Sequence, residues 1–167
     1  MRISSENAIG VRRRSGPILL ISQYREDEHF LREALTDFAC PLKTSESWQE
    51  AKPVIHSNLL DVVVSEGDLL DGTWRDVLSS LDHVTNPPLL IVASRVADER
   101  LWAEVLNLCG FDVLAKPFAR DEVIRVISHA LDTSDWLPKR PPGTSERATA
   151  RRKSAIGPPE RCIAYGS

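Results

Sequence analysis

The sequence predicts an α/β fold, a doubly wound five-stranded parallel sheet with helices on both faces. Three observations lead there. Short continuous apolar runs recur along the chain: Ile18-Leu19-Leu20-Ile21, Val62-Val63-Val64, Leu89-Leu90-Ile91-Val92 and Val113-Leu114-Ala115. Such runs suit strands covered by helices on both sides. Between them, apolar residues return at helical spacing rather than in alternation. The resulting alternation of strand and helix, five times within residues 17–136, implies a parallel sheet.

The elements follow in order. Ile18–Ile21 opens as a buried strand, and Phe30, Leu31, Ala34, Leu35 and Phe38 then form one helical stripe. Glu26, Asp27 and Glu28 fall in the first turn of that helix, where acidic groups favour the helix dipole. Leu42-Lys43-Thr44 is a weak strand. Trp48 and Ala51 begin a helix that Pro53 should kink or end. Val62–Val64 is the third strand, Asp71-Gly72 a turn, and Trp74, Val77, Leu78 and Leu81 suit a short helix. After Pro87-Pro88 come the fourth strand and a helix carrying Leu101, Val105 and Leu108, which Gly110 can end. Val113–Ala115 is the last strand; Val123, Ile124, Ile127, Ala130 and Leu131 mark the last helix. Short connections and right-handed crossovers favour the flavodoxin-like strand order 2-1-3-4-5.

Charge divides the chain. The formal net charge of −3 averages a basic N-terminus (+3 over residues 1–16), an acidic centre (−11 over 17–136) and a basic C-terminus (+5 over 137–167). The domain is expected over 17–132, flanked by a flexible basic tail at 1–16 and a disordered Pro/Arg-rich tail at 133–167, because neither tail can bury enough apolar surface to offset its ordering entropy. No apolar run approaches membrane-spanning length. A leader for export is not expected, and the location is expected to be cytoplasmic. Cys40, Cys109 and Cys162 lack paired spacing, which argues against a disulfide framework or a zinc site.

Ligands of open α/β sheets bind beyond the carboxyl ends of the strands. There the sequence places Ser22, Gln23 and Tyr24; Ser65, Glu66, Gly67 and Asp68; Ala93 and Ser94; and Lys116, Pro117 and Phe118. Over about residues 17–132 the chain resembles the receiver domain of two-component response regulators. The segment from Asp61 to Gly72 and the trio Lys116-Pro117-Phe118 carry the likeness. The resemblance implies a Mg²⁺-dependent phosphorylation site. It would have two acidic residues after the first strand, an acceptor Asp ending the third, and a backbone carbonyl two residues later. A hydroxyl after the fourth strand and a lysine after the fifth would hold the phosphoryl oxygens, in keeping with a reaction that depends on positioning and charge neutralisation.

Position by position, this chain departs from that pattern. Ser22 and Gln23 stand where the acidic pair would be, Glu66 at the acceptor, and Asp68 at the carbonyl ligand. Ala93 replaces the hydroxyl, Ser94 being displaced by one residue to the other face of the strand. Val113 replaces the switch aromatic, and Lys116 alone keeps the family's residue. With Glu66 as the only carboxylate at these positions and Lys116 to neutralise it, the site is expected to be nearly neutral. Mg²⁺ binding should then be weak or absent, and ordinary aspartyl phosphorylation should not occur.

Two readings of Glu66 remain open: a charge that mimics phosphorylation, or a site that has lost phosphotransfer in a domain kept as a binding module. Asp68 is a candidate substitute acceptor, and Asp68 with Asp71 could hold a cation loosely; solvated loop acids are the plainer account of both. His29, His56, His83 and His129 share no metal-ligand spacing. Arg12–Arg14 and Arg151–Lys153 could contact acidic surfaces, but no DNA-reading helix pair accompanies them, so specific nucleic-acid binding is not expected.

Altogether the sequence reads as an atypical stand-alone receiver domain, not an enzyme, in phosphorelay signalling. Its partners would be a sensor kinase or a downstream effector, with no membrane. The resemblance implies a homodimer surface on the last-helix face near Trp102, Val113 and Val123. The alternative is a small flavodoxin-like cofactor-binding protein or enzyme.

Overall fold

A computed structural model describes residues 16–57 and 59–141. The chain order is β1 (Ile18–Ile21), α1 (Arg25–Ala34), β2 (Leu42–Ser45), α2 (Trp48–His56), β3 (Val62–Glu66), β4 (Asp68–Leu69), β5 (Gly72–Thr73), α3 (Trp74–Leu81), β6 (Leu89–Ser94), α4 (Glu99–Asn107), β7 (Asp112–Ala115) and α5 (Arg120–Trp136). The main sheet is parallel, ordered β2-β1-β3-β6-β7. Its five strands, taken in chain order, therefore lie 2-1-3-4-5. β4 and β5 form a separate antiparallel hairpin around Leu70-Asp71.

The apolar runs form strands because both of their faces are covered. Ile18, Leu20, Val62, Val64, Leu89, Ile91, Ala93 and Leu114 meet one stripe of α1 and one of α5. Leu19, Ile21, Val63, Leu90, Val92 and Val113 meet α2, α3 and α4 on the other side. Every β1 side chain is at most 1% exposed, and burying each such residue contributes roughly 1.5–3 kcal/mol. α5 packs Val123, Val126, Ile127, Ala130 and Leu131, so Val126 takes the buried place that the periodicity assigned to Ile124.

Local signals explain most helix ends. The Ser47 hydroxyl accepts the N–H of Glu50 (3.3 Å) at the start of α2, and Asp98 does the same for Leu101 (2.8 Å) in α4. Two local expectations are corrected. Pro53 does not end α2, which continues through it to His56. The left-handed residue after α4 is Cys109 (φ 67°), not Gly110. Gly110 serves instead for close approach, since a Cβ there would lie 2.4 Å from Val105 Cγ1. Cys40 is free, and Cys162 lies outside the described residues.

The boundary expected at 132 falls inside α5. The helix runs on to Trp136, Leu137 packs on the α1/α5 core, and Lys139 pairs with Asp61 at 3.0 Å. Asn86 and Arg140 exchange two hydrogen bonds, at 2.7 and 2.9 Å. Residues 1–15 and 142–167 lie outside the described residues, as do the expected tails there and both basic clusters. Among the described residues no helix is long and apolar enough to cross a membrane.

Candidate functional site

The carboxyl ends of β3 and β7 and the first turn of α1 meet in one buried pocket. Along β3, Val62 and Val64 face the α1/α5 core, so strand alternation turns Glu66 to that same side. Leu114 faces this core from β7, and Lys116, two residues on, follows it. The Lys116 N–H donates to the Ser94 carbonyl at 2.9 Å, fixing the backbone there, and the Lys116–Pro117 bond is cis.

Asp27 of α1 completes the pocket. It lies four residues before Leu31 and seven before Ala34, which places it on the helix's buried stripe. The Lys116 ammonium contacts the carboxylates of both Asp27 and Glu66. These three side chains are 3% (Lys116), 8% (Asp27) and 7% (Glu66) exposed. The Ser22 hydroxyl donates to Asp27 Oδ2 at 2.7 Å and accepts the Tyr24 N–H at 3.1 Å. Glu66 Oε1 touches the ammonium off the hydrogen-bonding direction and has no aligned hydrogen bond.

Aromatic rings roof the lysine. Its Nζ lies 4.7 Å from the Tyr24 ring centroid and 5.4 Å from that of Phe118, within range for cation–π attraction. Arg95, in the loop after β6, also stacks on Tyr24 at 5.3 Å and pairs with Glu26 at 3.4 Å. Burial pushes the Glu66 carboxyl up to about 7. Contact with Lys116 and its charge pull the carboxyl back down, and the neighbouring Asp27 carboxylate adds to the rise.

Glu66 is the one carboxylate at the positions that the resemblance compares, but the pocket draws on more than those positions. Neutral Ser22 and Gln23 do follow β1, but a second acid reaches the pocket from five residues further along. Asp27 reads in the sequence as an ordinary first-turn acid; the signal that distinguishes it is its place on the apolar stripe of α1.

The other positions lie as follows. Ala93 pairs with Glu66 across the β3–β6 ladder and is fully buried, presenting a methyl group to the α1/α5 core. Ser94 Oγ accepts the Val96 N–H at 3.1 Å. Asp68 is exposed in the hairpin, opposite Thr73. Asp71 caps a helix: its carboxylate accepts the N–H groups of Trp48 (2.7 Å) and Gln49 (2.9 Å) at the start of α2. Desolvation pulls its carboxyl upward, but these bonds, with its own backbone N–H and the charge of Lys52, outweigh that and hold it below the usual range.

Val113 and Val123 are fully buried in the two core layers. Of the three residues near which a contact surface is expected, Trp102 is the partly exposed one. A cleft of about 380 Å³ opens beside β1 and β2, sharing Ser22 and Tyr24 with the Lys116 pocket and lined also by Gln23, Thr44, Glu46 and Glu50.

This arrangement has relatives among solved structures. The signal receiver domain of an HD domain-containing protein from Pseudomonas fluorescens Pf-5 aligns with a TM-score of 0.65 at 22% identity, over 77% of this chain and 95% of that one. The signal receiver domain of a putative LuxO repressor protein from Vibrio parahaemolyticus gives 0.68 at 17% identity, over 73% and 94%. The chemotaxis response regulator CheY4 of Vibrio cholerae gives 0.60 at 14% identity, over 71% and 100%. No protein-family model matches the chain, and neither does any curated protein sequence. At these identities the likeness is one of fold, and it agrees with the strand order and helix placement described above. The chain has the fold of response-regulator receiver domains.

Proposed function

We propose that this protein is an atypical receiver module of two-component signalling that acts by protein–protein contact, in the cytoplasm, without ordinary aspartyl phosphorylation. The observation that carries the reading is the Lys116 ammonium seated between Asp27 and Glu66. Its partner would be a sensor kinase or a downstream effector, and the module is not itself an enzyme.

The donor set does not suit Mg²⁺. That ion demands near-octahedral oxygen ligation and normally keeps several waters. Here both carboxylates already bear on an ammonium, the Ser22 hydroxyl is committed to Asp27, and the pocket is more than nine-tenths buried. Phosphoryl transfer also needs groups that neutralise the oxygens of the moving phosphoryl, and Ala93 supplies no hydroxyl. These features favour a domain whose surface, rather than its pocket chemistry, does the work.

The alternative of a cofactor-binding protein or enzyme would have to use the cleft beside β1 and β2. Tyr24 is its sole aromatic liner, and that ring already carries Lys116 and Arg95. The decisive experiment is incubation of the full chain with a small acyl-phosphate donor and Mg²⁺, followed by intact-mass measurement. No gain of one phosphate is expected. Stoichiometric, base-labile labelling would overturn the reading.

A further inference from the structure

Two carboxylates and one ammonium are sealed in the pocket, so full ionisation would leave one negative charge in a low-dielectric site. Such a charge is costly to bury without a partner. Among the described residues, Lys116 is the one cation in contact with either carboxylate. Arg95 lies across the Tyr24 ring and is paired with Glu26, and Arg120, which begins α5, pairs with Asp37. Glu66 Oε1 is buried and bears on the same ammonium as Asp27, with no further hydrogen-bond donor to stabilise its charge.

We propose that the pocket is a proton-binding site, in which Lys116 stands between the carboxylates in place of a divalent cation and one proton on Glu66 neutralises the remaining charge. The proton comes from bulk water and returns to it, leaving the Glu66 carboxylate; no other bond changes.

The groups around Glu66 pull in both directions. α1 contributes Asp27, whose negative charge favours protonation of its neighbour. The segment after β7 contributes Lys116, which opposes it. The β1–α1 loop contributes the Ser22 hydroxyl, already given to Asp27, and the Tyr24 ring over the ammonium. β6 contributes the Ala93 methyl group, and Phe118 is apolar. Burial then decides the balance, and the Glu66 carboxyl rises to about 7. A proton lost there changes the charge beneath Tyr24, whose ring links the Lys116 ammonium to Arg95 and so to the loop between β6 and α4.

The inference rests on the metal-free reading of the pocket given above, and its test is independent of phosphate labelling. In the full chain carrying ¹³C-labelled glutamate carboxyls, NMR titration should show one carboxyl with a midpoint near 7. That resonance should be absent from Glu66→Gln. Asp27→Asn, which keeps the shape but removes the charge, should lower the midpoint by a pH unit or more, a tenfold change in proton affinity. Millimolar Mg²⁺ should leave the midpoint in place. A Glu66 midpoint in the ordinary range near 4.5, or one indifferent to Asp27→Asn, would overturn the inference even if labelling stays absent. A midpoint driven down by Mg²⁺ would overturn it together with the metal-free reading.

Discussion

Lys116 is held by two acids from separate elements earlier in the chain, Asp27 of α1 and Glu66 of β3, and the excess acid makes Glu66 sensitive to pH. In the folded protein its carboxyl titrates at about 7, against an ordinary value of 4.5. The folded state thus binds this proton more tightly than the unfolded chain does. The stability contributed is fully present below about pH 4.5 and is lost as pH rises through about 7. The unfolding free energy of the wild type relative to Glu66→Gln should therefore fall between pH 4.5 and 8, by at most about 3 kcal/mol. Urea denaturation of both proteins across that range measures it, and parallel curves would refute the burial penalty.

At the level of elements, capping and close approach govern where helices stop. Asp71, in the β4–β5 turn, caps α2, which ties the hairpin to a helix more than 20 residues away in the chain. The turn after α4 depends on Gly110 for space. An added Cβ there would lie 2.4 Å from Val105 Cγ1 and 3.0 Å from the Val105 carbonyl oxygen, and Val105 is wholly buried. Gly110→Ala should therefore destabilise the protein by about 1–3 kcal/mol, as overpacking does. Val105→Ala in the same chain should recover part of that loss if crowding is the cause. Equal effects of Gly110→Ala in the two backgrounds, seen in thermal melts, would point elsewhere.

For the molecule as a whole, the two ends of the described chain converge at the amino-terminal edge of the sheet. Asp61, entering β3, donates its N–H to the Pro17 carbonyl (3.0 Å) and pairs through its carboxylate with Lys139. The residues after 132 are thus part of the folded unit: Ser134 is buried, Leu137 packs on the core, and Arg140 is bonded to Asn86. A chain ending at 132 should be less stable than one ending at 141 by at least about 2 kcal/mol, from lost apolar burial and hydrogen bonds. Denaturation under reducing conditions keeps the cysteines from confusing the comparison.

The sequence by itself determined the α/β class, the strand order and the side chains that end each strand. These follow from local rules: a continuous apolar run must be covered on both sides, a helical stripe must find a sheet, and chain direction places strand ends together. Glu66 and Lys116 were legible on that basis, because each directly follows or ends a buried run. Asp27 was not legible as a pocket residue, since a first-turn acid usually serves the helix dipole in solvent. Only the rotation of α1 against the sheet decided that this carboxylate points inward. The same holds for Val113 and Val123, whose burial depends on which face of the strand and helix meets the core, and for the segment just after α5, which Asp61 and Asn86 hold from distant parts of the chain. Composition shows how much charge a chain carries; packing decides which charges lose their water, and in this protein that difference turned a pocket expected to be nearly neutral into one with an acid to spare.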